Sequence, residues 1–331
     1  MLDNLLSFWV FWGIWIVVPL LIDGVASITL FVGFFVMRRM QRKTQSGSAS
    51  RNEVPPAFNL RLPEADRNGY KPVVSIIIPV HNGEQALPAC IASIKRQDYP
   101  ADRLEIIVVD NDSRDGTVQV LQRLQTETWA GQFHWISIPY RGKAHALNAG
   151  IHLTSGQYII NIDADVVLDK NAVRSVIAVF EQNPKISAAT GGIEVLPADP
   201  DDGRLRRVIA ECEFQEYMSA FWMGRQYQSL TNSLFTMAGA FSIFRREALL
   251  QTFLYDNQTV SEDTKLTLDF YRQLKNARIV CIANAIAYIS PTRSLSALYA
   301  QRVRWQRGQL EVAALNPERI HPNLFQIRGL S

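Results

Sequence analysis

Tyr158-Ile159-Ile160-Asn161-Ile162-Asp163-Ala164-Asp165 decides how this chain is read. A short apolar run is followed at once by two carboxylates with one small residue between them. The run suits a buried strand and is too short for a helix. Alternate carboxylates at a strand exit can aim at one point. Hard divalent cations such as Mg2+ or Mn2+ take oxygen ligands of this kind, together with water and phosphate oxygens. Taken alone, the same trio is a weak signal and reads more readily as a solvated loop.

Upstream, the same pattern recurs. Val73–Pro79, Glu105–Asp110 and Phe133–Ile138 read as further short strands, and Ala86–Arg96, Thr117–Leu124 and His145–Leu153 carry helical periodicity. Strands alternating with helices predict an α/β fold on a mostly parallel sheet. Such sheets bind ligands beyond the carboxyl ends of their strands. Asp110 closes the second strand and Asp163 follows the fourth, so two acids fall on one rim. Beyond Ile193 the alternation fades. Arg204–Tyr227 reads as one long helix with Phe214, Tyr217, Met218, Phe221 and Trp222 at helical spacing, a stripe that suits core or a membrane surface. Thr264–Leu274 and Ser294–Gly308 read as two more helices.

The run from Leu5 to Val36 is overwhelmingly apolar, and Arg38, Arg39, Arg42 and Lys43 follow it. A bilayer core needs about 20 apolar residues, so residues 1–43 are expected to hold one tilted transmembrane helix, bent near Pro19. No Lys or Arg precedes residue 38, which argues against a signal peptide. Basic residues after the span place the rest in the cytoplasm. Residues 44–72, with Ser46, Gly47, Ser48, Pro55, Pro56 and Pro63, read as a linker. A net charge of +3 across 331 residues gives no argument for nucleic acid. Cys90, Cys212 and Cys281 are far apart and show neither metal spacing nor a disulfide framework.

Three more clusters carry chemistry. Gly142-Lys143 opens a helix, where an ammonium and a helix N-terminus together suit an anion; a surface lysine is the plainer alternative. Ser261-Glu262-Asp263 offers a carboxylate that can accept a hydroxyl proton, or simply a capped helix start. Gln301, Arg304 and Trp305 share one helix face, where an arginine can fork onto phosphate and a tryptophan can stack on a sugar. The alternative is an amphipathic helix with Arg302, Arg304 and Arg307 turned to lipid phosphates. At 110–117, Ser113 or Asp115 can cap the helix that follows.

In this order and at these spacings, Asp110, Asp163-Ala164-Asp165, Glu262-Asp263 and Gln301-Arg302-Val303-Arg304-Trp305 resemble the active site of family 2 glycosyltransferases. The resemblance is to the processive branch, with cellulose, hyaluronan and poly-N-acetylglucosamine synthases. It covers Val73 to Gly308, and Cys212-Glu213-Phe214-Gln215-Glu216-Tyr217 and Arg304-Trp305-Gln306-Arg307-Gly308-Gln309 look like glycosyltransferases of Gram-positive exosortase-associated systems. It implies a GT-A fold, Rossmann-like, with residues 73–193 binding the nucleotide-sugar, residues 194–310 binding the acceptor and residues 311–331 as a short tail. It also implies an inverting transfer from a UDP-linked donor to a glycan or lipid-linked acceptor. Asp263 would be the base, with Pro79, Glu84, Asp110, Lys143, Asp163, Gln301 and Arg304 on the donor. Gly239, Glu262 and Trp305 would meet the acceptor, and Asp165 with Asp163 would hold Mg2+ or Mn2+.

The chain departs from the family at several places. Asn111 stands where a second Asp is common, His81 replaces a Tyr as a spacer against the base, and Ser261 replaces a Thr. Thr236-Met237-Ala238-Gly239-Ala240 keeps little of the usual acceptor loop beyond Gly239. Processive synthases continue into further transmembrane helices, whereas 26 residues follow Trp305 here. A membrane partner subunit, self-association, a short lipid-linked acceptor or a truncated chain would each account for that. An inactive nucleotide-sugar-binding subunit and a lipid-linked single-sugar transferase are the competing functions.

Overall fold

The structure is a computed structural model and describes residues 71–199 and 201–315. The expected membrane anchor within 1–43, nearly all of the linker and the tail from 316 lie outside the described residues. Among the described residues no helix is long and apolar enough to cross a membrane.

Eight strands are β1 (Val74–Val80), β2 (Leu104–Asn111), β3 (Gln132–Ile138), β4 (Tyr158–Ile162), β5 (Val167–Leu168), β6 (Ile186–Val195), β7 (Phe241–Arg245) and β8 (Arg278–Ile289). They form one sheet in the order β3-β2-β1-β4-β7-β6-β8-β5. β1, β2, β3 and β4 are mutually parallel, with Val80 opposite Asp110 and Ile77 opposite Asn161. β7 runs antiparallel between β4 and β6, and β5 runs antiparallel to β8. The sheet is therefore mixed, and strands from both sides of residue 193 belong to it.

The helices are α1 (Leu87–Lys95), α2 (Thr117–Thr126), α3 (Lys143–Leu153), α4 (Ala172–Gln182), α5 (Arg204–Glu216), α6 (Gly224–Leu230), the short α7 (Arg246–Leu249), α8 (Glu262–Gln273) and α9 (Leu295–Ala314). Successive side chains of a strand point to opposite faces, and β1 shows the result. Ile76 and Ile78 pack with Leu87, Ile91, Leu121 and Phe180. Ile77 packs on the other face with Leu147, Ile151, Phe244, Leu266 and Phe270. Strands covered on both faces read as unbroken apolar runs, and β4 is buried at all five positions.

The long helix expected at Arg204–Tyr227 is α5, a π-helical turn over Tyr217–Met223, and α6. Its aromatic stripe splits. Tyr217 is buried, Phe221 and Trp222 are half-buried, and Phe214 is 39% exposed. The stripe is thus part core and part surface.

Candidate active site

The rim beyond β1 and β2 is laced by short polar contacts. Asn82 has φ of 55°, a left-handed conformation that Asn tolerates. Its N–H donates to Ser113 Oγ, and its Oδ1 accepts from Arg114 N, both at 2.8 Å. Asp115 Oδ1 accepts from Thr117 N at 3.1 Å, but the residue in the N-cap position of α2 is Gly116, so neither of the two candidates expected there occupies it. Ser113 instead serves Asn82.

Glu84 is turned to the same lacing. Its carboxylate accepts from Gly116 N at 2.9 Å, and its own N–H donates to Asp115 Oδ2 at 3.1 Å. It lines neither of the two hollows at the rim. Asp110 does stand at the end of β2, yet it is 1% exposed, with Oδ2 accepting from Ser137 Oγ at 2.7 Å and Oδ1 left without a partner. The smaller hollow, about 300 Å³, is lined by Pro79, Val80, His81, Asn111, Arg141, Gly142 and Lys143. His81 Nδ1–H donates to Asn111 O at 2.7 Å, which leaves Nε2 to accept from Asn82 Nδ2 at 3.2 Å. Arg141 Nε donates to Asp112 Oδ2 at 2.9 Å at the lip.

The main cleft is about 660 Å³ and brings together Pro79, Lys143, Asp163, Asp165, Gly239, Glu262, Asp263, Gln301, Arg304 and Trp305. These come from β1, α3, the β4 exit, the loop before β7, the start of α8 and the middle of α9. The turn into α3 needs Gly142, whose φ is +137°. Lys143 Nζ then pairs with the Asp163 carboxylate, lies 3.9 Å from Glu262 Oε1 and donates to Gly239 O at 3.4 Å. Enclosure opposes the ammonium charge, but Asp163, Glu262 and Asp263 outweigh it and raise the Lys143 pKa.

Asp165 has its pKa raised by enclosure and then by the charge of Asp163. It has no ion-pair partner among the described residues, so two neighbouring carboxylates share one lysine. That donor set fits a hard divalent cation. Among the described residues no group of three His, Cys, Asp or Glu converges, so a cation here would take two carboxylates and complete its shell with phosphate oxygens and water.

Asp263 is held from two sides. Oδ2 accepts from Gly239 N at 3.1 Å, and Oδ1 accepts from Thr264 N at 2.7 Å. Thr267 Oγ1 donates to Asp263 O at 2.7 Å and accepts from Met237 N at 3.0 Å, fixing the 236–240 loop to α8. Glu262 has its pKa raised by burial, an effect that Lys143 offsets and Asp263 reinforces. Ser261 occupies the position before α8 but makes no capping bond with its side chain. It packs against Gly308 instead, where an added Cβ would stand 1.9 Å from Ser261 Oγ.

Arg302, Glu213 and Glu216 beside the Trp305 wall, and a fourth residue on it, have roles that the sequence did not show. Arg302 Nε donates to Glu216 Oε1 at 2.9 Å, its guanidinium lies 3.5 Å from Glu213 Oε1, and its Cζ sits 4.3 Å over the Trp305 ring. Glu213 is 3% exposed and also accepts from Thr292 N at 2.7 Å. Arg302 is thus an internal tie holding α9 to α5, not a lipid-facing charge. The two acids one helical turn apart on α5 were the signal for it. Trp305 packs edge-on against Tyr217 and Phe221, at 6.4 and 5.8 Å between ring centres. The fourth, Arg225, lines the same wall.

Residues 75–253 match the family model described as glycosyl transferase family 2. The poly-beta-1,6-N-acetyl-D-glucosamine synthase of Staphylococcus epidermidis is 27% identical over 240 residues, 72% of this chain and 55% of that protein. The synthase of the same name from Staphylococcus aureus strain COL is 25% identical over the same shares. The chain therefore spans about half the length of the curated relatives it matches. A mannosyltransferase from Pyrobaculum calidifontis, solved with GDP-mannose and Mn2+, superposes with a TM-score of 0.60 at 19% identity over 89% of this chain and 74% of that one. The TarS fragment 1–349 of S. aureus with UDP-GlcNAc gives 0.51 at 14% identity over 77% and 74%. At such identities the likeness shows the fold alone, a GT-A-like mixed α/β sheet. With more than half of its length inside the family model, the chain belongs to glycosyl transferase family 2 and is a glycosyltransferase.

Proposed function

We propose that this glycosyltransferase moves a sugar from a UDP-linked donor to a hydroxyl of a glycan or lipid-linked acceptor, with inversion, in the synthesis of a β-linked polysaccharide. The observation that carries the proposal is the single cleft shared by Asp163, Asp165, Lys143, Asp263 and Trp305. The smaller hollow beside His81 and Asn111 suits the nucleoside, and Lys143 and Arg304 bring positive charge toward the diphosphate. Mg2+ or Mn2+ held by Asp165 and Asp163 would neutralise the departing nucleoside diphosphate. Asp263 accepts the acceptor hydroxyl proton as the oxygen bonds to the anomeric carbon. The bond from that carbon to the diphosphate breaks on the opposite side, and the nucleoside diphosphate leaves with the electron pair. Asp110, buried at the end of β2, lines neither hollow and bears on the nucleoside only through Asn111, the next residue, which lines the smaller one.

The names of the relatives support the substrate class. The staphylococcal proteins are poly-N-acetylglucosamine synthases, and one solved neighbour holds UDP-GlcNAc while another holds GDP-mannose with Mn2+. Stretches 212–217 and 304–309 support a place among the exosortase-associated glycosyltransferases. The apolar run from Leu5 to Val36 with its basic flank supports a single-pass anchor in the cell membrane, a cytoplasmic catalytic domain and a membrane partner or self-association.

The test is purified full chain with labelled UDP-glucose, UDP-N-acetylglucosamine, UDP-galactose and UDP-glucuronate, with Mg2+ or Mn2+. UDP release or transfer that stops with a chelator and in Asp263→Asn is the expected result. Normal turnover in that variant removes the assigned base. Nucleotide binding without turnover across the panel favours an inactive subunit, and a label extracted into organic solvent favours a lipid-linked single-sugar transferase.

A further inference from the structure

Arg225 is a charged cleft residue to which the proposed transfer assigns no role. It lies in α6, just past the π-helical turn, and is 9% exposed. Its side chain lines the main cleft. Among the described residues it has no hydrogen-bond or ion-pair partner; its nearest shaped contact is the Phe221 ring, 4.6 Å from Cζ. The other enclosed cations here are paired. Lys143 has Asp163, Arg302 has Glu213 and Glu216, and Lys265 has Asp269 at 2.6 Å. A guanidinium this enclosed with no hydrogen-bond or close ion-pair partner is costly; burial lowers the Arg225 pKa, an effect that the charge of Asp263 in the same cleft opposes without cancelling it.

Position decides which substrate it serves. Lys143 and Arg304 line the same cleft and are the cations assigned above to the diphosphate. Arg225 stands on the aromatic wall. Phe221 stacks below its guanidinium and lies 5.8 Å from Trp305. Gln228 and Thr236 line the same cleft and add polar groups. π-helical turns are frequent at functional sites, and this one sets the direction of everything after Met223.

We infer that Arg225 is an acceptor-binding residue that forks onto an oxyanion, phosphate or carboxylate, carried by the glycan acceptor. The inference rests on the transferase function proposed above and deepens it. The acceptor is an anionic glycan rather than a neutral one. Planar guanidinium matches both oxyanions with two parallel bonds, which a lysine cannot reproduce.

The experiment compares three acceptors with the purified full chain: a β-1,6-linked N-acetylglucosamine tetramer, the same tetramer with a reducing-end phosphate, and a uronate-bearing tetramer. Binding is followed by calorimetry and transfer by labelled donor, so a chain that binds acceptors without turnover is told apart from one that does not discriminate. The wild type is expected to prefer one charged acceptor over the neutral one by about tenfold to a hundredfold in kcat/KM and in Kd. Which charged tetramer wins identifies phosphate or carboxylate. Arg225→Gln should erase the preference, Arg225→Lys should keep part of it, and the Kd for UDP should stay within about twofold in both. Equal use of all three acceptors by the wild type overturns the inference, whether or not the variants fold. A UDP Kd that rises with the Arg225→Gln change overturns it too, by assigning the residue to the donor. If no donor is turned over and no acceptor preference is seen in binding, both proposals fall. If turnover fails while the binding preference and its loss in Arg225→Gln persist, only the transferase reading falls.

Discussion

The backbone N–H of Gly239 donates to Oδ2 of Asp263 at 3.1 Å, so a loop residue with no side chain sets where the base points. A Cβ added at 239 would stand 3.1 Å from that oxygen and 3.3 Å from Lys143 Nζ, tighter than ordinary contact. Gly239→Ala is therefore expected to push the carboxylate aside. Misplacement of a catalytic group by about 1 Å costs on the order of a hundredfold in rate. Steady-state kinetics should show kcat falling about 10- to 100-fold, with a melting temperature within a few degrees of wild type.

Asp263→Asn keeps the shape and, with its one amide oxygen, one of the two backbone bonds from Gly239 and Thr264, and it removes the proton acceptor. The proposed base chemistry is worth about 10²- to 10⁴-fold. A loss of that size in kcat is expected, while calorimetry should find the affinity for UDP unchanged within about twofold. Loss of UDP binding in step with kcat would point to a donor-side role for this residue.

Asp165 carries the opposite signature, a trade of stability for charge. Enclosure and Asp163 raise its pKa in the folded state. A carboxyl with a raised folded pKa binds its proton more tightly when folded, so it favours folding at low pH and opposes it once the pH passes the folded value. Asp165→Asn should then melt about 1 to 3 °C higher at pH 7. The gain should vanish below about pH 4, where the unfolded carboxyl is also protonated. Divalent-cation-dependent activity should be lost in the same variant. A lower melting temperature at pH 7 would contradict the assignment of Asp165 as a carboxylate with no close ion-pair partner of its own.

Gly308 is where α9 closes on the start of α8. A methyl group there would lie 1.9 Å from Ser261 Oγ and 2.8 Å from Ser261 Cβ. Overpacking of this kind costs about 1 to 3 kcal/mol. Gly308→Ala should lower the melting temperature by several degrees and raise the KM for acceptor, because Trp305 rides on the same helix. Ser261→Gly in the same chain should restore part of both.

The first half of the sheet was legible because β1, β2 and β4 are buried on both faces and announce themselves as unbroken apolar runs. The later strands were hidden. β7 is five residues long, and the alanines of β8 dilute its apolar signal, so nothing in the pattern showed a strand entering antiparallel beside β4. Carboxylates at strand ends and helix starts were readable, since position alone aims them. Glu84 was not, because its role as a loop tie depends on where Gly116 folds back. Arg302 and Arg225 were hidden for the same reason. A helical arginine looks like a surface charge until its neighbours from distant sequence are known.

The π-helical turn at Tyr217–Met223 has a consequence for how this cleft can change. Such a turn holds an extra residue compared with an ordinary helical turn, so deleting one would rotate α6 by about 100° about its axis. That single deletion would swing Arg225 away while leaving the donor wall, built on β1, β4 and α3, untouched. Divergence among relatives in what they elongate could thus proceed by gain or loss of one codon here, a route that substitution patterns alone would not disclose.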